Sequence, residues 1–297
     1  MTSPQVNDNM IDIGGGVQLQ VGQAGEGDPL ILVCGTCQDY RMWSPLMPEL
    51  TKAYRVTTYN HRGIGDSTRG TGCVSTASLA DDLDALMTAL DIERAHVLGW
   101  SLGSAVAQKL ALAYGERVAS LTLVATWGRT DAYQAALGTG LSHPWRTGDR
   151  NAALTALSLV FSHELLGSGE FAQFLAPFEP LFPSTQQQMA TAAEQWDAAM
   201  AHEALDRLGA ISTPALILAG EQDLLTPARL GYSVADAIPG ACYALLTGPG
   251  SSHAMFLERA EEFTSLVIQF LGHHSLAGAS CQPRPPDQSN ETPKPGY

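Results

Sequence analysis

The chain has 297 residues, of which 45% are hydrophobic, and this is enough apolar material for one large α/β domain. Its formal net charge is −14 and its few basic residues form no cluster that would follow a phosphate backbone, so we expect no nucleic-acid partner. The N-terminus is polar, no apolar run approaches the length of a membrane span, and the five cysteines are an odd number. We therefore expect a cytoplasmic protein without membrane insertion.

The first strand-like runs are Ile11 to Gly22, Leu30 to Val33 and Tyr54 to Tyr59. The second run leads into Cys34-Gly35-Thr36-Cys37, and a C-x-x-C motif permits a redox dithiol. The chain has no short thioredoxin-like domain around this motif, so we interpret the two cysteines as semi-buried thiols. The sequence leaves open whether they form a disulfide, which would distort this loop.

An amphipathic helix is predicted from Ser78 to Leu90. Carboxylates on its first turn favour the helix dipole, so we interpret them as a solvated helix start and not as a metal cluster; they are Asp81, Asp82 and Asp84. Arg62 is expected to stabilise its own glycine-rich turn. Two His-Glu pairs, at His163 and His202, lack the second histidine of H-E-x-x-H, so we expect neither a metal nor a cofactor.

The most informative motif is Gly99-Trp100-Ser101-Leu102-Gly103, a G-x-S-x-G sequence between a strand-like run and the helical segment Ser104 to Tyr114. Glycines two residues before and after the serine are needed because a strand-to-helix turn this sharp leaves no room for side chains. The motif predicts a nucleophile elbow that exposes the Ser101 hydroxyl.

A serine hydroxyl needs a histidine to take its proton and a carboxylate to orient that histidine. Asp223 ends the polar loop after the strand-like run Ala215 to Gly220, and His253 follows the run Tyr243 to Leu246. The predicted triad is therefore Ser101, Asp223 and His253. Asp131 is the alternative acid.

With this order of residues the chain resembles the α/β-hydrolase superfamily, from about Ile11 to Leu271. The segments that carry the resemblance are the elbow, the loop Tyr59-Asn60-His61-Arg62-Gly63-Ile64-Gly65-Asp66-Ser67, and the acid and histidine loops around Asp223 and His253. Among family members it looks most like carboxylesterases and enol-lactone hydrolases. The resemblance implies an α/β-hydrolase fold: a mostly parallel central sheet, helices on both faces, and an inserted helical cap.

Acyl transfer also needs backbone N–H donors for the developing oxyanion. The first should be Leu102, the residue after the nucleophile. The resemblance assigns the second to Thr36, although Cys34 stands where the family commonly has histidine.

The regular alternation of strands and helices lapses between residues 126 and 210, a helical segment rich in aromatic residues. We expect this segment to form the cap, residues 1–125 and 211–274 to form the discontinuous core, and residues 275–297 to be a disordered tail. Trp100, Arg129 and Trp145 are the expected substrate contacts, with Arg129 favoured because it closely follows a strand end and an arginine can clamp a carboxylate.

The predicted function is a serine hydrolase that cleaves a carboxylic ester or lactone of a hydrophobic, small to medium substrate through an acyl-enzyme on Ser101. A thioesterase, acyltransferase or cyclase acting on a carrier-bound or polyketide-like substrate remains open. A non-hydrolytic member that uses the pocket for binding or a rearrangement is the other alternative. The expected partner is a small-molecule substrate, and the expected state is a monomer or homodimer.

Overall fold

A computed structural model describes residues 6–276 of the chain. Its strands are β1 (Asn7–Asp12), β2 (Gln18–Ala24), β3 (Asp28–Val33), β4 (Tyr54–Tyr59), β5 (Ala95–Trp100), β6 (Val118–Val124), β7 (Ala215–Gly220) and β8 (Cys242–Leu246). These strands form a single sheet in the order β1-β2-β4-β3-β5-β6-β7-β8. β2 runs antiparallel to both of its neighbours, and the pairs from β4 to β8 are parallel.

The helices connect these strands and cover both faces of the sheet. They are α1 (Met47–Leu50), α2 (Thr76–Ala89), α3 (Leu102–Ala113), α4 (Ala132–Thr147), α5 (Arg150–Ala156), α6 (His163–Gly167), α7 (Phe171–Leu175), α8 (Gln186–Met200), α9 (Ala228–Ala237), α10 (Met255–Glu258) and α11 (Ala260–Gly272). The described residues form two hydrophobic cores. In one, α2, α3 and α9 pack on one face of the sheet, and in the other, α1 and α11 pack on the opposite face. The predicted α/β fold with a mostly parallel sheet is confirmed.

The central strands are apolar on both sides because both faces of the sheet are covered. Every residue of β5, β6 and β7 is buried, as expected for parallel strands between two helical layers. The carboxyl ends of these strands therefore open onto one edge of the sheet, where loops can carry polar side chains.

Helices α4 to α8 lie between β6 and β7, in the segment where the regular alternation lapses. α4 packs along α8, and each begins at a side-chain cap: Asp131 accepts from the N–H of Gln134, and Thr185 accepts from the N–H of Gln188. These caps fix where α4 and α8 begin, and Gly148, a left-handed residue, fixes where α4 ends.

Three details differ from the sequence-based expectations. The predicted strand Ile11 to Gly22 is divided by a turn at Gly14–Gly16 into β1 and β2, because the three glycines have positive φ angles of 86°, 61° and 74°. The segment Ala254 to Leu271, which its sequence predicts to be one helix, breaks at Arg259 into α10 and α11.

The third difference concerns Asp82, which is buried and not part of a solvated helix start. Its carboxylate forms an ion pair with the guanidinium of Arg62. Arg62 therefore links the loop after β4 to α2, in addition to any role in its own turn. Of the predicted tail, Ser275 and Leu276 both hydrogen-bond to Asp28, and residues 277–297 lie outside the described part of the chain.

Candidate active site

The predicted elbow joins β5 to α3 at Ser101, whose backbone has φ 53° and ψ −120°. Few residues other than glycine adopt such a positive φ, so this backbone is strained. A Cβ on Gly99 would lie 2.2 Å from the carbonyl oxygen of Gly103, and a Cβ on Gly103 would lie 2.2 Å from that of Val33. Both glycines are needed because the turn folds back on itself and rests against the end of β3.

The structure brings the three residues of the predicted triad together in one chain of hydrogen bonds. The hydroxyl oxygen of Ser101 lies 3.0 Å from Nε2 of His253. Nδ1 of His253 lies 2.9 Å and 3.0 Å from the two carboxylate oxygens of Asp223. With Nδ1–H donating to Asp223, Nε2 is left free to accept the proton of Ser101, which is the arrangement that general-base activation requires.

Asp223 is held by its own turn in addition to His253. Its Oδ1 accepts from the backbone N–H groups of Leu225 and Thr226, each at 2.8 Å, and its Oδ2 accepts from the Thr226 hydroxyl at 2.7 Å. Asp223 and His253 are 3% and 1% exposed. Water therefore does not compete for the bond between them. The alternative acid, Asp131, caps α4 and pairs with Arg229 instead.

Trp100 fixes the loop that carries His253. Its indole N–H donates to the backbone carbonyl of His253 at 2.8 Å, and the two rings lie 5.2 Å apart. The other side of the indole covers Gly35, where a Cβ would lie 2.4 Å from the ring. Trp100 thus contacts both the histidine loop and the loop after β3.

The loop after β3 places Thr36 beside Ser101. Within residues 6–276 the backbone N–H groups of Thr36 and Leu102 make no hydrogen bond, whereas those of Gly35, Cys37 and Ser101 do. Gly35 N–H donates to the Gln38 side chain at 2.7 Å, and Cys37 N–H donates to the Gln195 side chain of α8 at 2.8 Å. The two predicted oxyanion donors are therefore available for a substrate oxygen.

Cys34 and Cys37 are free thiols and are fully buried. Burial raises the pKa of both thiols well above the ordinary value. A reactive redox dithiol needs an exposed thiol with a lowered pKa, and these cysteines have neither property. The structure favours the interpretation of two packed thiols.

Two small cavities, each of about 30 Å³, are lined in part by Ser101. Both are bordered by Thr36, Ser101, Trp196, Leu225 and His253. The first, here called the apolar lobe, is lined further by Met42, Leu157, Val160, Phe161, Phe182 and Leu257. The second, here called the Gln134 lobe, is lined further by Trp127, Gln134, Leu137, Leu141 and Met200.

No Lys, Arg, Asp or Glu of the described residues lines either lobe. Each lobe has room for one or two water molecules, so the site is nearly closed in this conformation. An ionised substrate group would lose its hydration here without gaining a partner of opposite charge.

The structure does not bring all the expected substrate contacts to the site. Trp100 lines the apolar lobe, but Arg129 and Trp145 line neither lobe. The guanidinium of Arg129 is at the surface, where it pairs with Glu203 and Asp206, and the Trp145 ring is buried in the core.

Gln134 and Gln195 were not predicted from the sequence as residues of the site. Glutamine is common on helix surfaces, and no motif distinguishes the two that turn inward here. The side-chain caps of α4 and α8 are the sequence features that could have indicated them, because the residue at which a helix begins determines which of its residues share a face.

Within the described residues no group of three His, Cys, Asp or Glu side chains is arranged to hold a metal ion. In the same part of the chain, no helix has the length and apolar character needed to cross a bilayer.

Comparison with known families supports the same fold. Residues 28–260 match the model of the family described as alpha/beta hydrolase fold. The chain belongs to this family. The prediction of an α/β hydrolase is thereby confirmed at the level of the family.

Relatives of similar length carry different functional names. A protein of Azorhizobium caulinodans, named as the carbamate hydrolase RutD, is 29% identical over 266 residues, which are 87% of this chain and 97% of that protein. A protein of Mycobacterium tuberculosis, named as the non-heme bromoperoxidase BpoC, is 29% identical over 264 residues, or 86% and 97% of the two chains.

Solved structures show the likeness in three dimensions. An enol-lactonase from Burkholderia xenovorans superposes with a TM-score of 0.79 at 27% identity, covering 90% of this chain and all of that one. An enzyme described as degrading N-acyl homoserine lactones gives a TM-score of 0.74 at 26% identity, covering 88% of this chain and 100% of that one.

Proposed function

We propose that this protein is a serine hydrolase that cleaves an uncharged carboxylic ester or lactone through an acyl-enzyme on Ser101. The observation that carries the proposal is the chain of hydrogen bonds from Asp223 through His253 to Ser101, together with the N–H groups of Thr36 and Leu102, which have no hydrogen-bond partner among the described residues. This combination supplies a nucleophile, a base and an oxyanion site at one point.

The reaction begins when Nε2 of His253 takes the hydroxyl proton while the oxygen of Ser101 forms a bond to the substrate carbonyl carbon. The electron pair of the carbonyl moves onto its oxygen, and the N–H groups of Thr36 and Leu102 stabilise that charge. Each such donor contributes roughly 3 to 4 kcal/mol to lowering the barrier. The tetrahedral intermediate then expels the alcohol oxygen, which receives the proton from Nε2 and leaves an acyl-enzyme.

The second half of the reaction repeats these steps with water in place of Ser101. His253 takes a proton from water as the water oxygen bonds to the acyl carbon, and Ser101 leaves with that proton. Asp223 stays ionised throughout and stabilises the positive charge on His253. An internal hydroxyl of the substrate in place of water would give ring closure by the same chemistry.

Two further features support an ester or lactone over a charged substrate. No Lys, Arg, Asp or Glu side chain of the described residues lines either lobe. The names of two structural neighbours, an enol-lactonase and an enzyme that degrades N-acyl homoserine lactones, also describe lactone chemistry. We propose that residues 126–210 act as a cap, since Phe161, Phe182 and Trp196 of this segment border the site.

The test is the mass of the intact protein after exposure to a fluorophosphonate. One adduct is expected on the wild type and none on Ser101→Ala or His253→Ala, because the reagent reports an activated serine. Asp223→Asn should slow labelling by a factor of about 10³ or more, since the histidine would lose its orienting carboxylate.

Asp131→Asn is the matched control and should label at the wild-type rate, because Asp131 contacts Arg229 and not His253. No adduct on well-folded wild type would overturn the proposal. Labelling would be followed by measurement of kcat/KM on esters, lactones and thioesters of the same acyl group.

A further inference from the structure

The Gln134 lobe contains a buried polar atom that makes no hydrogen bond within residues 6–276, the side-chain oxygen of Gln134. Gln134 is 3% exposed, and its Oε1 has no hydrogen-bond partner within residues 6–276. A buried amide oxygen without a partner destabilises a protein, because it has lost its hydration without gaining a hydrogen bond. An apolar side chain of similar volume, such as methionine, would fill the same space without this cost.

The position of Gln134 on α4 directs it to the cavity. Gln134, Leu137 and Leu141 are spaced three and four residues apart, so they share one face of the helix, and all three line the Gln134 lobe. The backbone N–H of Gln134 is already used by the Asp131 cap, which fixes the start of α4 and with it this face. A polar acceptor thus lies in an otherwise apolar stripe that faces the site.

The shared border of the lobes decides how a substrate would occupy them. Ser101, His253 and Thr36 belong to both lobes, so the scissile carbonyl lies where they meet. The acyl part of the substrate would then occupy one lobe and the alkoxy part the other. The part in the Gln134 lobe meets an acceptor that lacks a donor, whereas the other part meets Leu157, Phe161 and Phe182.

We propose that Gln134 is a specificity-determining residue that accepts a hydrogen bond from a hydroxyl or amide N–H group of the substrate. This inference rests on the proposed function and names its substrate class. That class is an uncharged ester or lactone with an apolar group on one side of the carbonyl and a short hydrogen-bond-donating group on the other. The volume of about 30 Å³ limits the donating group to a few atoms unless α4 and α8 separate.

The apolar lobe contains a second glutamine, but it has a different task. Gln38 accepts the N–H of Gly35 through its side-chain oxygen, and its Nε2 has no partner within the described residues. Substitution of Gln38 would disturb the loop that carries Thr36. Gln134 makes no side-chain hydrogen bond to that loop, so it is the residue that can be tested cleanly.

The experiment compares wild type with Gln134→Met on sets of three esters that differ only in a terminal hydroxyl, fluorine or methyl group. The group is placed two, three or four atoms from the carbonyl, on the acyl side in one series and on the alcohol side in the other. Intrinsic reactivity of each ester is the same for both proteins, so the wild-type-to-variant ratio of kcat/KM isolates the contact at position 134.

For at least one hydroxyl ester we expect Gln134→Met to lower kcat/KM about tenfold or more, while the fluorine and methyl partners change less than about twofold. Fluorine is a weak acceptor without a proton, so a loss that is equal for the fluorine and hydroxyl esters would overturn donor recognition. Ratios that are equal across all three groups in every series would overturn the proposal entirely.

Leu137→Met is the matched control, because it changes the same face of α4 without changing a polar atom, and it should leave the ratios equal. Fluorophosphonate labelling distinguishes a failure of the role proposed for Gln134 from a failure of the proposed hydrolase function. If both proteins label at the same rate and the ratios are equal, only the role of Gln134 fails. If the wild type does not label, the proposed hydrolase function fails and the substrate class fails with it.

Discussion

At the scale of single residues, the side chain that connects most of the site is Trp100, the residue before the nucleophile. Its indole bonds to the carbonyl of His253 and covers Gly35, so it holds the base and the oxyanion loop at a fixed separation. Acyl transfer is sensitive to such placement, since a small displacement of reacting groups lowers the rate strongly. Trp100 therefore acts as a positioning residue as well as a wall of the apolar lobe.

We expect Trp100→Phe to lower kcat about tenfold, because phenylalanine removes the N–H donor, leaves the His253 carbonyl without its partner and opens space beside Gly35. The measurements are kcat, KM and the rate of fluorophosphonate labelling, together with the urea midpoint to confirm folding. Trp145→Phe is the control: its indole N–H has no partner within the described residues, and it should stay within about twofold of wild type. Equal activity of the two variants would show that the bond to His253 has no positioning role.

The sequence predicted the residues whose chemistry is tied to a motif. Ser101 is recognisable because the elbow needs Gly99 and Gly103, and Asp223 and His253 follow strands that end at the same edge of the sheet. Arg129 was expected near the substrate because it follows a strand end, but Glu203 and Asp206 come from a distant part of the chain and hold it at the surface. Partners of this kind depend on tertiary packing, which local sequence does not encode.

At the scale of elements, α8 controls the loop that carries the proposed oxyanion donor. Gln195 accepts the backbone N–H of Cys37, a residue whose φ of 63° is unfavourable for any residue except glycine. The contact joins residues 158 positions apart, so no sequence pattern could have predicted it. The alternation of strands and helices predicted that helices follow β6, but not which of them presses on the site.

Gln195→Met should lower kcat about tenfold to a hundredfold with little change in KM, because Cys37 would lose its acceptor and the Thr36 donor next to it would move away from the oxyanion. The expected signature is an effect on the chemical step, so the rate of acyl-enzyme formation should be measured in a single turnover. Gln187→Met on the exposed face of the same helix is the control and should behave as wild type. A change confined to KM would show that Gln195 serves substrate binding and does not support the oxyanion loop.

At the scale of the whole molecule, a buried network joins the elbow to three separate helical elements. The Ser104 hydroxyl bonds to the carbonyl of Ser101 and to Thr126, and Thr126 also accepts from the Gln108 side chain of α3. The oxygen of Gln108 accepts from Nε2 of His202, which follows α8. Packing of α3 against the segment between β6 and β7 thus depends on this histidine.

His202 is neutral in the folded protein above a pH of about 3. Its Nδ1 accepts a hydrogen bond from the Thr76 hydroxyl at the start of α2, and its Nε2–H donates one to Gln108. One ring nitrogen therefore acts as an acceptor and the other as a donor, as in a neutral imidazole. Burial, reinforced by the charge of Lys109, lowers the pKa of His202 to about 3 from an ordinary value of 6.5. Between pH 6.5 and 3 the unfolded chain therefore binds a proton that the folded chain does not.

The consequence is a loss of stability on acidification. Because the unfolded state binds more protons between pH 6.5 and 3, the free energy of unfolding rises with pH there and is highest above the unfolded pKa. His202 alone should remove about 2 kcal/mol between pH 7.5 and 5, because the slope approaches about 1.4 kcal/mol per pH unit once the unfolded histidine is protonated. His96, whose pKa burial lowers to about 4, adds a loss of the same sign.

His202→Gln isolates this contribution because glutamine keeps a donor and an acceptor but does not titrate. The variant should be less stable than wild type at pH 7.5. Its free energy of unfolding should nevertheless fall less steeply towards pH 5, because its unfolded state takes up close to one proton fewer than that of the wild type. Urea unfolding at four or five pH values measures both slopes. His163→Gln, at an exposed position, should leave the wild-type slope unchanged. If His202→Gln also kept that slope, the ring would have to be protonated in the folded state. The Nδ1 nitrogen could then no longer accept from Thr76, and the contact between α2 and the end of α8 would need a different explanation.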